Sequence, residues 1–386
     1  MRPSIAAMNR AALRPLLALP LLALVAGAAA RPLPALAAST PDEQARFLAG
    51  LAGPPGSPLD PLESTPRWRE HALAMNAAWA KLSARLLVVD DWAAREVRPR
   101  IRNGLPLLYL FGGPDVANPI RFFPDAPVYL LAGLEPVGRA PPPEALAPKA
   151  VGDALDALQQ ALRSVVPAAF FRTNEMGRDL RGHSIVGVQP LVYLFLARSG
   201  GRILAADRIE IDPLGFARVV SEGAPWGKGL QALRVRFQRP GRIAQELVYV
   251  QVDLGNEAMA RTPGFAAFVQ GLGPCNAMLK AASFILHDNR FSDSRELLLR
   301  SAVSVLQDDS GLPFLFFAKG EWEFETWGTY LVPKRPFHRH WQADLAKVFE
   351  ARSKGPLPFT YGYRHGAEES SLLLAVRKAP PKGPAR

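Results

Sequence analysis

The chain has 386 residues, 48% of them hydrophobic and 21% charged, and a formal net charge of +11. That balance is the composition of a globular protein and excludes a disordered, collagen-like or low-complexity chain. With Cys275 as the one cysteine, an internal disulfide framework is also excluded, so an apolar core must hold the fold together.

The first residues, MRPSIAAMNRAALR, carry Arg2, Arg10 and Arg14 without an acid, and an apolar run from Pro15 to Ala30 follows. This is the layout of a secretory signal peptide. Its apolar run is shorter than the ~20 residues of a membrane span and contains Pro20, so no stable span is expected after cleavage. Small residues at Ala35 and Ala37 place the cut after Ala37, with Ala30 as the second choice. The leader, 1–37, holds four arginines and no acid, which leaves 11 − 4 = +7 on the exported part. Such an excess favours an anionic envelope component as partner. The basic residues are scattered and no nucleic-acid motif occurs among them, so nucleic acid is not an expected partner.

Past the leader, Thr40-Pro41-Asp42-Glu43 opens a short helix, and Gly53 to Pro66 is a loop. Periodic apolar residues at Ala72, Met75, Trp79, Leu82 and Leu86 predict a helix over 68–89. Asp90-Asp91 separates it from a second helical piece, 92–101, which stops at Asn103-Gly104. Residues 105–138 then read as a strand, a Gly112-Gly113-Pro114 turn ending in Asp115, an aromatic loop, and a second strand closing at Glu135-Pro136. The proline-rich PVGRAPPPEALAPK that follows is a candidate lobe boundary, 136–148, within an otherwise single domain spanning 38–378.

Helices are predicted at 151–165 and 168–180, and strands at 189–195 and 203–211. A hairpin crosses RPGR between 230–237 and 243–252. Further helices are expected at 264–272, 275–287, 292–306 and 339–352. Strands are expected at 312–317, 321–332, 359–363 and 371–376, before a disordered tail, 379–386. The fold class is α+β: a mixed, largely antiparallel sheet flanked by helices. Pro106-Leu-Leu-Tyr-Leu-Phe111 recurs as Pro190-Leu-Val-Tyr-Leu-Phe195, with a looser copy at 313–317. One reading is a repeated helix-helix-strand-strand unit, and the other is coincidence in a chain rich in leucine and phenylalanine.

Three residues are catalytic candidates. Asp115 and Glu135 end neighbouring predicted strands, where carboxylates suit general acid-base work, and His287 beside Asp288 could act as a base. Against this, Asp115 could simply bond its turn, Glu135 could be a surface group, and His287 could cap a helix. Gly182-His183-Ser184-Ile185-Val186-Gly187 resembles a nucleophile elbow, but its second glycine falls one residue late. His338 and His340 lack a third ligand, and Gln307-Asp308-Asp309-Ser310-Gly311 lacks the length of a calcium loop, so no metal is expected. No phosphate-binding loop or Rossmann fingerprint occurs, so no cofactor is expected either. Cys275 reads as a buried structural residue.

The stretch LFGGPDVANPIRFFPDAPVYLLAGLEPVG, with ASFILHDNRFSDSREL, LQDDSGLPF and SLLLAVRK, resembles a group of bacterial exported proteins sharing a GGPD…FFPDAxxYLLxGLEPVG motif. The resemblance implies export from a bacterial cell and brings no activity with it. Two functions are therefore expected to compete. One is a periplasmic or secreted binding protein of the cell envelope, taking an anionic component or small molecule. The other is a hydrolase of an envelope polymer or small ester using Asp115, Glu135 and His287.

Overall fold

The structure, a computed structural model, describes residues 38–168 and 186–379. Residues 1–37, expected as a leader, together with His183, Ser184, the residues from 380, and the helix placed at 168–180 beyond its first residue, lie outside the described residues.

Ten strands form one sheet: β1 (Leu107–Leu110), β2 (Val128–Gly133), β3 (Arg202–Ile211), β4 (Ala217–Val219), β5 (Leu230–Gln238), β6 (Gln245–Gln251), β7 (Cys275–Leu279), β8 (Ala302–Gln307), β9 (Trp322–Gly328) and β10 (Ser371–Arg377). Their order is β4-β3-β5-β6-β2-β1-β7-β8-β10-β9. The four pairings from β6 to β8 are parallel, and the five pairings on the two flanks are antiparallel. The sheet is therefore mixed, with a parallel centre inside antiparallel flanks. Among the described residues ten helices accompany it: α1 (Pro41–Leu48), α2 (Asp60–Glu63), α3 (Pro66–Glu96), α4 (Pro119–Phe122), α5 (Pro148–Ala168), α6 (Gln189–Arg198), α7 (Asn256–Arg261), α8 (Gly264–Gly271), α9 (Ser292–Ser301) and α10 (Ala343–Arg352).

Side chains of a strand alternate between the two faces of a sheet, and here both faces are apolar. Leu107 and Tyr109 point into a core shared with α1, α3, α4, α5 and α6, while Leu108 and Leu110 point into a second core under α7, α8 and α9. Burial on both sides explains why the central strands are continuous apolar runs without a polar face. Counted along the chain, the five parallel strands stand in the order 3-2-1-4-5, as in one half and the start of the second half of a doubly wound fold.

Several sequence expectations change. Residues 189–195 form α6 instead of a strand: Pro190 lies in its first turn, every residue from Pro190 to Ala197 is buried, and left-handed Gly200 follows its end. A short segment that is apolar all round gives no period by which to tell helix from strand. The three similar segments thus differ, with a strand at 107–110, a helix at 189–198 and a single 3-10 turn at Phe314–Phe316. That removes the basis for a repeat.

Cys275 begins strand β7, not a helix over 275–287, and the helix predicted for 292–306 ends at Ser301, where β8 takes over. Residues 359–363 form no strand. Instead Phe359 and Tyr361 pack edge-on against Trp92 and Phe122. Asp90-Asp91 does not interrupt α3, because both acids face outward and pair with Arg98 and Arg95. Although α3 is long and apolar enough for a membrane span, it buries Trp68, Met75, Leu82, Leu86 and Trp92 in the first core.

Residues Ala38–Arg386 cluster as one compact unit. Within it the 136–148 stretch is pinned: Arg139 bridges Val186, and Glu144 accepts hydrogen bonds from the backbone and hydroxyl of Ser39.

His71 on α3 is fully buried, with Nε2 bonded to the Leu48 carbonyl at 3.0 Å and Nδ1 facing Gln159 Nε2 at 3.1 Å. The carbonyl can only accept, so the proton resides on Nε2. Burial lowers the imidazole from 6.5 to about 4. The unfolded chain therefore binds this proton first as the pH drops. Stability contributed by neutral His71 is complete above pH 6.5 and is lost as the pH falls towards 4. In urea unfolding, H71Q should show a flatter loss of stability across that window than the parent chain.

Gly328 and Gly320 share φ = +83°, but a Cβ on Gly328 would lie 1.9 Å from the Ser370 carbonyl, whereas one on Gly320 would meet nothing within 4 Å. In urea unfolding G320A should cost only the left-handed penalty of roughly 1–2 kcal/mol. G328A should cost clearly more, because β10 must move.

Candidate functional site

In open sheets of this order, ligands bind outside the carboxyl ends of the strands, where the order reverses. Here that point lies between β1 and β7. Among the described residues, the four non-glycine positions with positive φ are Phe111, Ala281, Ser283 and Phe284, and all four follow β1 or β7. Strained backbone of this kind persists only where the surroundings over-determine it.

The surroundings are polar and closed. Gly112 has no side chain because the Tyr109 ring occupies that space: a Cβ there would sit 2.5 Å from the ring. Tyr109 donates its hydroxyl proton to Asp115 Oδ2 at 2.9 Å, and Lys280 Nζ donates to the same oxygen at 3.0 Å. Asn118 adds its backbone N–H, at 3.2 Å, and its side-chain amide. The side chains of Lys280 and Asp115 are only 2% and 3% exposed. Burial pushes the Lys280 ammonium below its ordinary range, and the Asp115 charge works against that. Burial and then the same charge push the Tyr109 phenol well above its ordinary pKa, so it remains a donor.

A second layer holds the strained loop after β7. Asp308 at the end of β8 accepts from Ala281 N at 2.8 Å and from the hydroxyl of Ser310 at 2.6 Å, while Ser310 Oγ accepts from Ala282 N at 2.7 Å. Tyr363 donates to the Ala281 carbonyl at 2.6 Å, so the Ser283 hydroxyl, 2.7 Å from the phenol oxygen, must be the donor in that contact. With Tyr363 raised by burial to about 12, Ser283 has no base there, and its strained turn is a clasp. Next in the chain, Asp309 pairs with Arg364 at 2.7 Å, both nearly inaccessible. Burial, followed by the charge of Asp308, raises Asp309 to about 6.

The three sequence candidates follow three adjacent strands, β2, β1 and β7, but among the described residues none hydrogen-bonds to another. Asp115 is the buried acceptor just described. Glu135 is half-buried, and its Oε2 and its backbone carbonyl both accept from the Tyr249 hydroxyl, at 3.0 and 2.9 Å. His287 has no helix end to cap, since a 3-10 turn, Ile285–His287, replaces the expected helix. Its ring lies 4.9 Å from that of His340 and 5.3 Å from that of Phe284. Among the described residues its buried Nε2 has no hydrogen-bond partner, and burial, then the charge of His340, lowers the imidazole to about 4.

Among the described residues no group of three or more His, Cys, Asp or Glu could hold a metal ion. Asp308 and Asp309 belong to a buried turn, and His338 and His340 to a 3-10 turn with no buried residue. Cys275 is buried, and desolvation raises its thiol to about 12, which leaves it unreactive.

Sequence reasoning misses Lys280, Tyr109 and Arg364, and reaches Asp308 only as part of a stretch too short for a calcium loop. The one local signal was Lys280 itself, a lone cation closing the apolar run CNAML.

The fold and this cluster define an α+β protein with a doubly wound parallel centre whose switch point is filled by its own side chains. Comparison with known proteins finds no matching family model, no matching curated protein and no matching solved structure.

Removing one partner of a buried ion pair leaves the other charge unpaired, at a cost of about 3–5 kcal/mol. D115A and K280A should each lose stability on that scale in chemical denaturation. The D115N/K280M double variant should lose less than the sum of its single substitutions, which a double-mutant cycle will read directly.

Proposed function

We propose that this chain is a non-catalytic binding protein of the bacterial cell envelope, exported by its basic and apolar leader and taking anionic envelope components as partners. The observation that carries this reading is the saturation of Asp115. A general base needs a free lone pair aimed at substrate, whereas this carboxylate is enclosed and accepts from Tyr109, Lys280 and both nitrogens of Asn118. The Tyr109 ring likewise fills the space beside Gly112 in the turn after β1, next to the switch point where a doubly wound fold takes its ligand. Glu135 accepts from Tyr249 instead, and among the described residues neither it nor His287 hydrogen-bonds to Asp115, so no bond links the three groups of the hydrolase reading. The basic excess of the chain supports an anionic partner.

A ligand that binds only the folded state raises its melting temperature. In a thermal-shift series on the mature protein, peptidoglycan fragments or anionic envelope polymers should give a saturable rise, retained in K280M. Nucleotides should give none. A saturable nucleotide shift, or ester hydrolysis lost in D115N, would overturn the reading. Expressed with its leader in a bacterium, the protein should appear in the periplasm or medium beginning at Ala38.

A further inference from the structure

One opening in the molecule lies away from the switch point. A groove of about 870 Å³ runs along α9, between α7 and α8 on one side and the start of β9 on the other. That volume falls in the range of small-molecule sites. Its apolar wall is formed by Met259, Ala266, Leu297, Phe316 and Trp322.

The charges along it are unequal. Arg300 pairs with Glu296, and Arg377 pairs with Glu321 at 2.7 Å. Arg377 is further committed, with its guanidinium 4.4 Å over the Trp322 ring. The remaining lining charge is Asp293, which forms no ion pair among the described residues and receives only a 3.4 Å contact from the Ser292 hydroxyl. Three acids against two arginines give the lining a net charge of 2 − 3 = −1, on a chain whose total is +11. Asp293 and Arg300 are seven residues apart on α9, which at 1.5 Å per residue spans about 10 Å. The groove therefore has an unpaired carboxylate at one end and an apolar, aromatic floor extending roughly that distance from it.

We propose that this groove binds an elongated amphipathic cation, with an apolar body about 10 Å long and one positive group held by Asp293. The inference rests on the binding-protein reading and adds a second class of ligand to it, at a separate place on the molecule.

Octylamine, octanol and octanoate, probes of matched chain length, test it by isothermal titration of the mature protein. Octylamine should bind saturably and about fivefold more tightly than octanol, the scale of a solvent-accessible ion pair, with octanoate the weakest. D293N should bring octylamine down to octanol without changing octanol. A266W, which fills the groove from α8, should abolish binding of both while circular dichroism shows the fold retained. Octanoate binding as tightly as octylamine, an unchanged D293N, or no binding of any probe would each overturn the assignment. Envelope fragments that still raise the melting temperature would then leave the binding-protein reading standing, whereas hydrolysis lost in D115N would sink that reading whatever the groove binds.

Discussion

The contact between Asp115 and Lys280 joins the ends of the two strands from which the parallel sheet is counted outward in both directions. Taking two charges out of water costs several kcal/mol for each, and their attraction offsets this only where the geometry is good and the remaining lone pairs are satisfied. Both conditions hold here, through Tyr109 and Asn118. The pair then fixes how the turn after β1 meets the loop after β7. Phe111 and Ala281 keep left-handed backbone at that meeting because moving either would expose or strand a buried charge.

From that contact the closure spreads to the last part of the chain. Asp308 holds the β7 loop by its amides, Tyr363 holds it by a carbonyl, and Arg364 locks Asp309 behind them. Gly362 stands against Asp308 with no room for a side chain: a Cβ would lie 2.2 Å from its carboxylate. The segment around 359–364 is therefore a structural lid made of covalently attached chain. A place where a doubly wound fold ordinarily receives a ligand has become a place where the protein binds itself.

Much of this framework is legible in the sequence, and the reasons for the rest are specific. The hairpin across RPGR, the amphipathic side of α3 and the Gly112 to Asp115 turn all declare themselves through period or turn chemistry. Pro106 to Phe111 and Pro190 to Phe195 do not, since nearly the same apolar string becomes a strand in one place and a helix in the other. What separates them is tertiary placement: the first string pairs between β2 and β7, while the second packs as a helix on the face of the sheet. The role of Asp115 was hidden for a different reason: its partner Lys280 stands 165 residues away, and no local pattern reports on a contact of that separation. The place of His287 is not legible locally because the apolar run before it carries no period, and its five residues from Cys275 to Leu279 form a strand buried on both faces.

The strand order also has a kinetic meaning. Leu107 pairs with Asn276 and Val128 with Glu246, separations of 276 − 107 = 169 and 246 − 128 = 118 residues. Contacts this distant in sequence are formed late, because the entropy of closing the loop must be overcome before any pairing returns it. The seam between β1 and β7 cannot close until β7, deep in the second half of the chain, is present. A chain whose first strand is flanked on one side by its seventh depends on long loop closures, so the central sheet is the slow part of its folding.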